Sequence, residues 1–325
     1  MTTPTVSIVI PVYNEEAVLQ ALFARLYPVL DALQAAGERC EVIFVNDGSR
    51  DRSAQMLADQ FRHRPDVTRV VLFNGNFGQH MAILAGFEQV RGQMAITLDA
   101  DLQNPPEEIP KLVAAVRAGH DYVGTIRRQR EDSAFRRIAS KAMNGLRENI
   151  TRIQMTDQGC MLRAYDRALV DTLNACKEVN TFIPALAYTF AAAPTEIEVA
   201  HEERFAGESK YSLYKLIRLN FDLVTGFSIV PLQWFSLIGT ALSLGAGALF
   251  VLLMVRRFLL GAEVEGVFTL FALQFFLTGI TLFGIGLMGE YVGRIQQEVR
   301  QRPRYRISAV LQAPSTAVTV KEVAV

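Results

Sequence analysis

The chain has no excess of either charge: 33 Lys and Arg stand against 33 Asp and Glu in 325 residues. That balance argues against a general nucleic-acid binder, which needs a basic face. Cysteine is scarce. Cys40, Cys160 and Cys176 follow no metal-type spacing, and an odd, sparse set reads as reduced thiols rather than a disulfide framework. There is no G-x-G-x-x-G and no P-loop; Asn74-Gly75-Asn76-Phe77-Gly78 matches neither, so phosphates are not held in those ways. Met1 to Thr5 has no basic n-region and Pro11 interrupts the short run after it, so no signal peptide is expected.

Charge is missing altogether from Leu223 to Val255 and from Gly266 to Gly289. Each stretch exceeds the roughly 20 residues that cross a bilayer. A buried core helix is the alternative for one such run, but two in tandem point to a membrane hairpin. Gly239, Gly245, Gly247, Gly279, Gly284 and Gly286 suit close helix packing in lipid. Lys210, Lys215 and Arg218 precede the pair, and Arg294, Arg300, Arg302, Arg304 and Arg306 follow it; the loop between holds only Arg256 and Arg257. The positive-inside rule therefore puts both large ends in the cytoplasm.

What is present in the first 200 residues is alternation. Strand-like runs at Val6–Ile10, Glu41–Val45, Val67–Phe73, Met94–Leu98 and Tyr122–Ile126 alternate with helical patterns at Glu15–Ala36, Asp51–Arg62, Gly78–Val90 and about Glu107–Ala118. Such alternation predicts an α/β fold with a parallel, doubly wound sheet. Ligands of such sheets bind beyond the carboxyl ends of the strands. Pro11-Val12-Tyr13-Asn14-Glu15, Asn46-Asp47-Gly48 and Asp99-Ala100-Asp101 all lie at those ends.

The last of these is the most informative. Met94 to Leu98 is apolar, and it ends in two carboxylates two apart, followed by the amide of Gln103. Residues i and i+2 of an extended chain point the same way. Paired carboxylates repel unless a cation lies between them. The expectation is a hard-metal site for Mg²⁺ or Mn²⁺ carrying a diphosphate; the plain alternative is a strand that ends in Asp. Ser133–Ile150 and Tyr211–Phe227 are amphipathic, and beside a membrane hairpin they read as interfacial helices. The tail after Arg306 reads as disordered.

These marks together resemble the GT-A glycosyltransferases of family 2, in the branch that moves a sugar from a nucleotide to a polyprenyl phosphate. The resemblance rests on Val9-Ile10-Pro11-Val12-Tyr13-Asn14-Glu15, Val45-Asn46-Asp47-Gly48-Ser49, Asn76-Phe77-Gly78, Leu98 to Gln103, Gly207-Glu208-Ser209-Lys210-Tyr211 and the two C-terminal apolar runs. Gly78-Gln79-His80, Gly159-Cys160-Met161-Leu162-Arg163-Ala164-Tyr165, Thr181-Phe182-Ile183-Pro184 and Arg300 to Tyr305 are similar to the transferases that use undecaprenyl phosphate and a UDP-linked 4-deoxy-4-formamido-L-arabinose. Undecaprenyl-phosphate glucosyltransferases and dolichyl-phosphate mannose synthases share the broader marks, and a membrane scaffold with an inactive transferase domain is the non-enzyme alternative. Asn46 departs from the family, which commonly has Asp there.

The resemblance implies a Rossmann-like mixed sheet flanked by helices. It implies a catalytic domain over 1–210, an interfacial helix over 211–230, a hairpin over 231–289 with spans near 232–255 and 266–288, and a C-terminal helix and tail over 290–325. It implies the bacterial inner membrane and, by analogy, a homotetramer. It also assigns roles. Pro11, Tyr13, Glu15 and Asp47 line the nucleotide pocket, although Asp47 as an Asx-turn before the next helix and Glu15 as a first-turn acid remain open. Asp101, Asp99 and Gln103 hold the metal. Lys210 closes over the donor phosphates. Arg127, Arg137 and Ser140 meet the acceptor phosphate, with lipid-headgroup attraction the alternative. Asp157 lies where relatives have a base. A phosphate monoester, with a second pKa of about 6, needs none, so Asp157 is expected to orient the sugar or an arginine. A single displacement inverts the anomeric centre.

Overall fold

Four apolar, β-branched runs build the centre of the sheet: β1 (Val6–Val12), β2 (Cys40–Asn46), β3 (Thr68–Phe73) and β4 (Met94–Thr97). β1 lies between β2 and β4 and is parallel to both, and β3 adds in parallel to β2. Every residue of β2 and β4 is buried, as expected of strands covered by helices on both faces. The computed structural model describes residues 3–127, 155–157, 159–176, 182–202, 230–260, 267–300 and 302–313. These fall into two units, one formed by the sheet and its helices and the other holding two long apolar helices.

Helices α1 (Glu16–Ala35), α2 (Ser53–His63), α3 (Gln79–Gln89) and α4 (Ile109–Arg117) connect the strands. α1 buries Leu19, Leu22, Leu26 and Leu30, a spacing that keeps one face against the sheet. Full burial of each such side chain contributes about 1.5–3 kcal/mol. Pro106 opens a short 3₁₀ turn, Pro106–Glu108, ahead of α4, since proline fits a first turn.

The remaining elements are β5 (Tyr122–Arg127), β6 (Arg163–Asp166), α5 (Arg167–Ala175), α6 (Ile183–Phe190), β7 (Pro194–Val199) and β8 (Ile307–Leu311). The strand order is β7-β5-β6-β4-β1-β2-β3-β8. The sheet is mixed, not wholly parallel. β6 inserts between β4 and β5 and runs antiparallel to both, while β7 is parallel to β5. β8 covers the outer edge of β3 in antiparallel register. The expected disorder after Arg306 is therefore wrong for 307–311: an open strand edge recruits a complementary strand, and Ile307–Leu311 supplies it. Tyr305 stacks on Phe73 with ring centroids 5.0 Å apart, which fixes the approach.

The second unit contains α7 (Val230–Leu260) and α8 (Val267–Val299). Leu273–Gly293 is long and apolar enough to cross a membrane; within α7 the apolar stretch is the shorter Leu232–Leu242. Trp234, Phe258, Phe275 and Phe283 are exposed. The glycines expected to pack the pair are not equivalent. A Cβ on Gly284 would lie 2.1 Å from Phe235 Cζ, whereas Gly239, Gly245, Gly279 and Gly286 face open space. The expected interfacial helices over 133–150 and 211–230 lie outside the described residues, except Val230, which opens α7.

Candidate active site

The three central strands release their chains at one edge. The β1–β2 ladder ends at Val12 opposite Asn46, and the Asp47 N–H donates to the Val12 carbonyl at 2.9 Å. The β1–β4 ladder ends at Val9 opposite Thr97, and the Leu98 N–H donates to the Val9 carbonyl at 3.1 Å. Three acidic loops thus leave adjacent strands side by side. They surround a cavity of about 280 Å³ whose wall includes Pro11, Tyr13, Glu15, Asp47, Asp99 and Asp101. Four of the lining residues are carboxylates, and among the described residues none of the lining is Lys or Arg.

The loops are cross-braced. Asn14 adopts a left-handed φ of 55°, a conformation asparagine tolerates. Its Oδ1 accepts from the Arg50 N–H at 2.8 Å and its own N–H donates to Ser49 Oγ at 3.0 Å. The Glu16 N–H donates to Asp51 Oδ2, and the Arg52 N–H returns to Glu16 Oε2. The starts of α1 and α2 thus satisfy each other's orphan donors. Glu15 makes no side-chain cap bond to α1 and lines the cavity instead.

Asp47 is 2% exposed. It does not cap α2; the Ser53 N–H goes to Asp51 Oδ1 at 3.0 Å. The Asp47 carboxylate instead accepts from the N–H groups of Phe77 and Gly78, at 2.7 and 2.8 Å. Burial raises its pKa, against the pull of those two bonds. Gly48 makes the contact possible. Its φ is +65°, and a Cβ there would lie 2.3 Å from the Gly75 carbonyl carbon.

Asp99 and Asp101 share the cavity, but not as alternate residues of an extended strand. β4 ends at Thr97, and Leu102 takes a φ of 61°. The chain therefore turns, and the same-face spacing expected for Gln103 does not hold. The Gln103 N–H donates to Asp101 Oδ1 at 3.1 Å, its carbonyl accepts from the Glu202 N–H at 2.9 Å, and its side chain is absent from the cavity wall. Asp101 is 8% exposed. Asp99 Oδ1 accepts from Gln79 Nε2 at 2.6 Å, although in the sequence Gln79 stands only as a family mark.

A metal ion fits this chemistry. Hard cations take oxygen donors, and a cavity walled by four carboxylates favours one. Among the described residues no three His, Cys, Asp or Glu groups could together hold an ion, so the protein offers a partial oxygen set, of the kind that a diphosphate completes.

Arg127 ends β5. Its Nε donates to Asp157 Oδ2 at 2.5 Å and its Nη2 to Asp157 Oδ1 at 2.8 Å. A two-point fork of this kind fixes a guanidinium in plane. His201 lies beside this pair. Its pKa is lowered by burial and by Arg127, while Asp157, Asp101 and a bond to the Gln103 backbone push the other way. His201 therefore feels the charges of both the Asp99–Gln103 turn and the Arg127 fork, a neighbour that sequence reasoning missed. His80 is half-buried, off the cavity wall and against Phe182, 5.4 Å between ring centroids; the loss of water around its ring pushes its pKa down to about 4. Arg137, Ser140 and Lys210 lie outside the described residues.

Residues 7–173 match glycosyl transferase family 2. The chain belongs to that family. It is 49% identical over 314 residues to an undecaprenyl-phosphate 4-deoxy-4-formamido-L-arabinose transferase of Aeromonas hydrophila, covering 96% of this chain and 95% of that one. It is 50% identical over 322 residues to the transferase of the same description from Pseudomonas fluorescens, covering 97% and 94%. The corresponding protein of Salmonella paratyphi B is 48% identical over 316 residues, covering 97% and 96%. As a glycosyltransferase of family 2, the protein combines a GT-A mixed sheet with an acidic site at its carboxyl edge.

Proposed function

We propose that this glycosyltransferase moves 4-deoxy-4-formamido-L-arabinose from its UDP donor to undecaprenyl phosphate with inversion, and so feeds lipid A modification and polymyxin resistance. The observation that carries the chemistry is the acidic cavity at the ends of β4, β1 and β2. The donor and acceptor come from the relatives that match nearly the whole chain.

Pro11, Tyr13, Glu15 and Asp47 take the nucleotide. Asp47 keeps a lone pair on each oxygen beyond its bonds to Phe77 and Gly78. Asp101 and Asp99 would hold a divalent ion, Mg²⁺ or Mn²⁺; Gln103 would join them as third ligand by turning its side chain from the same turn into the cavity. When bound, that ion neutralises the charge that builds on the departing diphosphate. Asp99, kept in place by Gln79, faces the donor sugar.

The acceptor is its own nucleophile. With a second pKa near 6, about that of any phosphate monoester, it is mostly a dianion at neutral pH. One of its oxygens attacks the anomeric carbon, the bond to the UDP oxygen breaks, and UDP leaves with the electron pair. No covalent enzyme intermediate is needed. What the acceptor needs is orientation and screening from the donor's charge. Arg127 supplies these, with Arg137 and Ser140 as partners, and Lys210 closes on the donor phosphates. Asp157 holds Arg127 and takes no proton.

α7 and α8 form a hairpin in the bacterial inner membrane, with both termini cytoplasmic, and the enzyme works as a homotetramer. Donor competition tests the reading. Purified protein should transfer from the UDP-formamido-arabinose in preference to UDP-glucose; transfer from UDP-glucose alone would replace the proposed donor.

A further inference from the structure

Arg163 opens β6, opposite Thr97 of β4, and is fully buried. A charge in that position is costly unless its donors are met. Its Nε donates to the Cys160 carbonyl at 2.8 Å, its Nη2 to the Asp157 carbonyl at 2.6 Å, and its Nη1 to the Tyr122 hydroxyl. The guanidinium also lies over the Tyr122 ring, 5.8 Å from its centroid. Gly124 leaves the room: a Cβ there would stand 3.3 Å from Arg163 Nη1.

Filling this volume needs no cation. Three fixed N–H directions reaching three separate oxygens are what a guanidinium offers and an ammonium does not. Two of those oxygens belong to the 157–160 loop, and one is the carbonyl of Asp157 itself. The third sits on Tyr122 of β5, the strand that ends in Arg127. Arg163 therefore ties together the backbones that carry both halves of the Arg127–Asp157 fork. Gly159 leaves the fork open. Its N–H donates to Asp157 Oδ1 at 3.1 Å, and a Cβ on it would lie 3.0 Å from Arg127 Nη2.

We propose that Arg163 is a positioning residue for the acceptor phosphate, acting through Asp157 to set the pose of Arg127. The inference rests on the proposed role of Arg127. Lysine at 163 keeps the charge but cannot reach all three oxygens.

The test is steady-state kinetics on the full-length protein with the UDP-sugar donor and undecaprenyl phosphate, for Arg163→Lys, Asp157→Asn and the double variant. Arg163→Lys should raise the acceptor KM about tenfold, with the donor KM and kcat within about twofold. The double variant should be no worse than Asp157→Asn alone. Multiplicative losses, or equal losses in kcat and both KM values, would overturn the proposal. If Arg163→Lys does not fold, Tyr122→Phe, which removes one of the three oxygens, decides. It should raise the acceptor KM about threefold, and an unchanged acceptor KM counts against the proposal. An unchanged acceptor KM in Asp157→Asn removes the role of Arg127 and this inference with it, whereas multiplicative losses remove the inference alone.

Discussion

Asp157 holds Arg127 by both oxygens, 2.5 Å from Nε and 2.8 Å from Nη2. A carboxylate engaged in this way is a poor base, because proton uptake would break the fork that both side chains share. Asp157→Asn should therefore raise the KM for undecaprenyl phosphate about tenfold and leave the donor KM nearly unchanged. Loss of turnover with both substrates still bound, restored at high pH, would identify Asp157 as a base instead.

Gln79 should behave differently, because it touches Asp99, which is proposed to face the donor sugar. Its amide is the described partner of Asp99 Oδ1. Gln79→Leu should raise the donor KM several-fold with little change in the acceptor KM. A variant with unaltered donor kinetics would leave Asp99 without a role for its partner.

Gly48 tests the brace between two loops. An alanine there would carry a φ of +65° and place its Cβ 2.3 Å from backbone. Strain and overpacking each cost about 1–3 kcal/mol. Gly48→Ala should lower the unfolding temperature of the sheet domain and weaken UDP binding together. Wild-type values for both would show that loop 75–78 yields freely.

His80 predicts a pH effect on stability. Burial holds its pKa at about 4, below the ordinary 6.5. The unfolded chain takes up the proton near 6.5, and the folded chain only near 4. Stability from this group is therefore complete above pH 6.5 and is lost as pH falls towards 4, by up to about 3 kcal/mol. His80→Leu should flatten that part of the profile in thermal unfolding of the detergent-solubilised protein. An unchanged slope between pH 6.5 and 4 would assign the loss to other groups.

The sequence made β1 to β4 legible because each is a short apolar run bounded by turn residues, and their carboxyl ends carry the motifs. It did not reveal β6, whose Arg163-Ala164-Tyr165-Asp166 has no strand-like pattern and forms only because β4 and β5 flank it. β8 is a strand for a similar reason, since β3 offers an open edge more than 200 residues earlier in the chain. The site was half legible. Pro11, Tyr13, Glu15, Asp47, Asp99 and Asp101 meet as their strand-end positions suggest. The partners of Asp47 are not local, because Phe77 and Gly78 lie 30 and 31 residues away. Period-2 spacing misled at Gln103 because the chain had already turned at Leu102.

Asp101, as the proposed metal ligand, should be indispensable for transfer to a lipid phosphate. UDP release should be measured with undecaprenyl phosphate and the UDP-formamido-arabinose donor, with and without Mg²⁺ or Mn²⁺, for the wild type and Asp101→Ala. Release should need both the lipid and the metal, and should fall at least about a hundredfold in Asp101→Ala. Release that survives metal removal, or an Asp101→Ala enzyme as fast as the wild type, would contradict it.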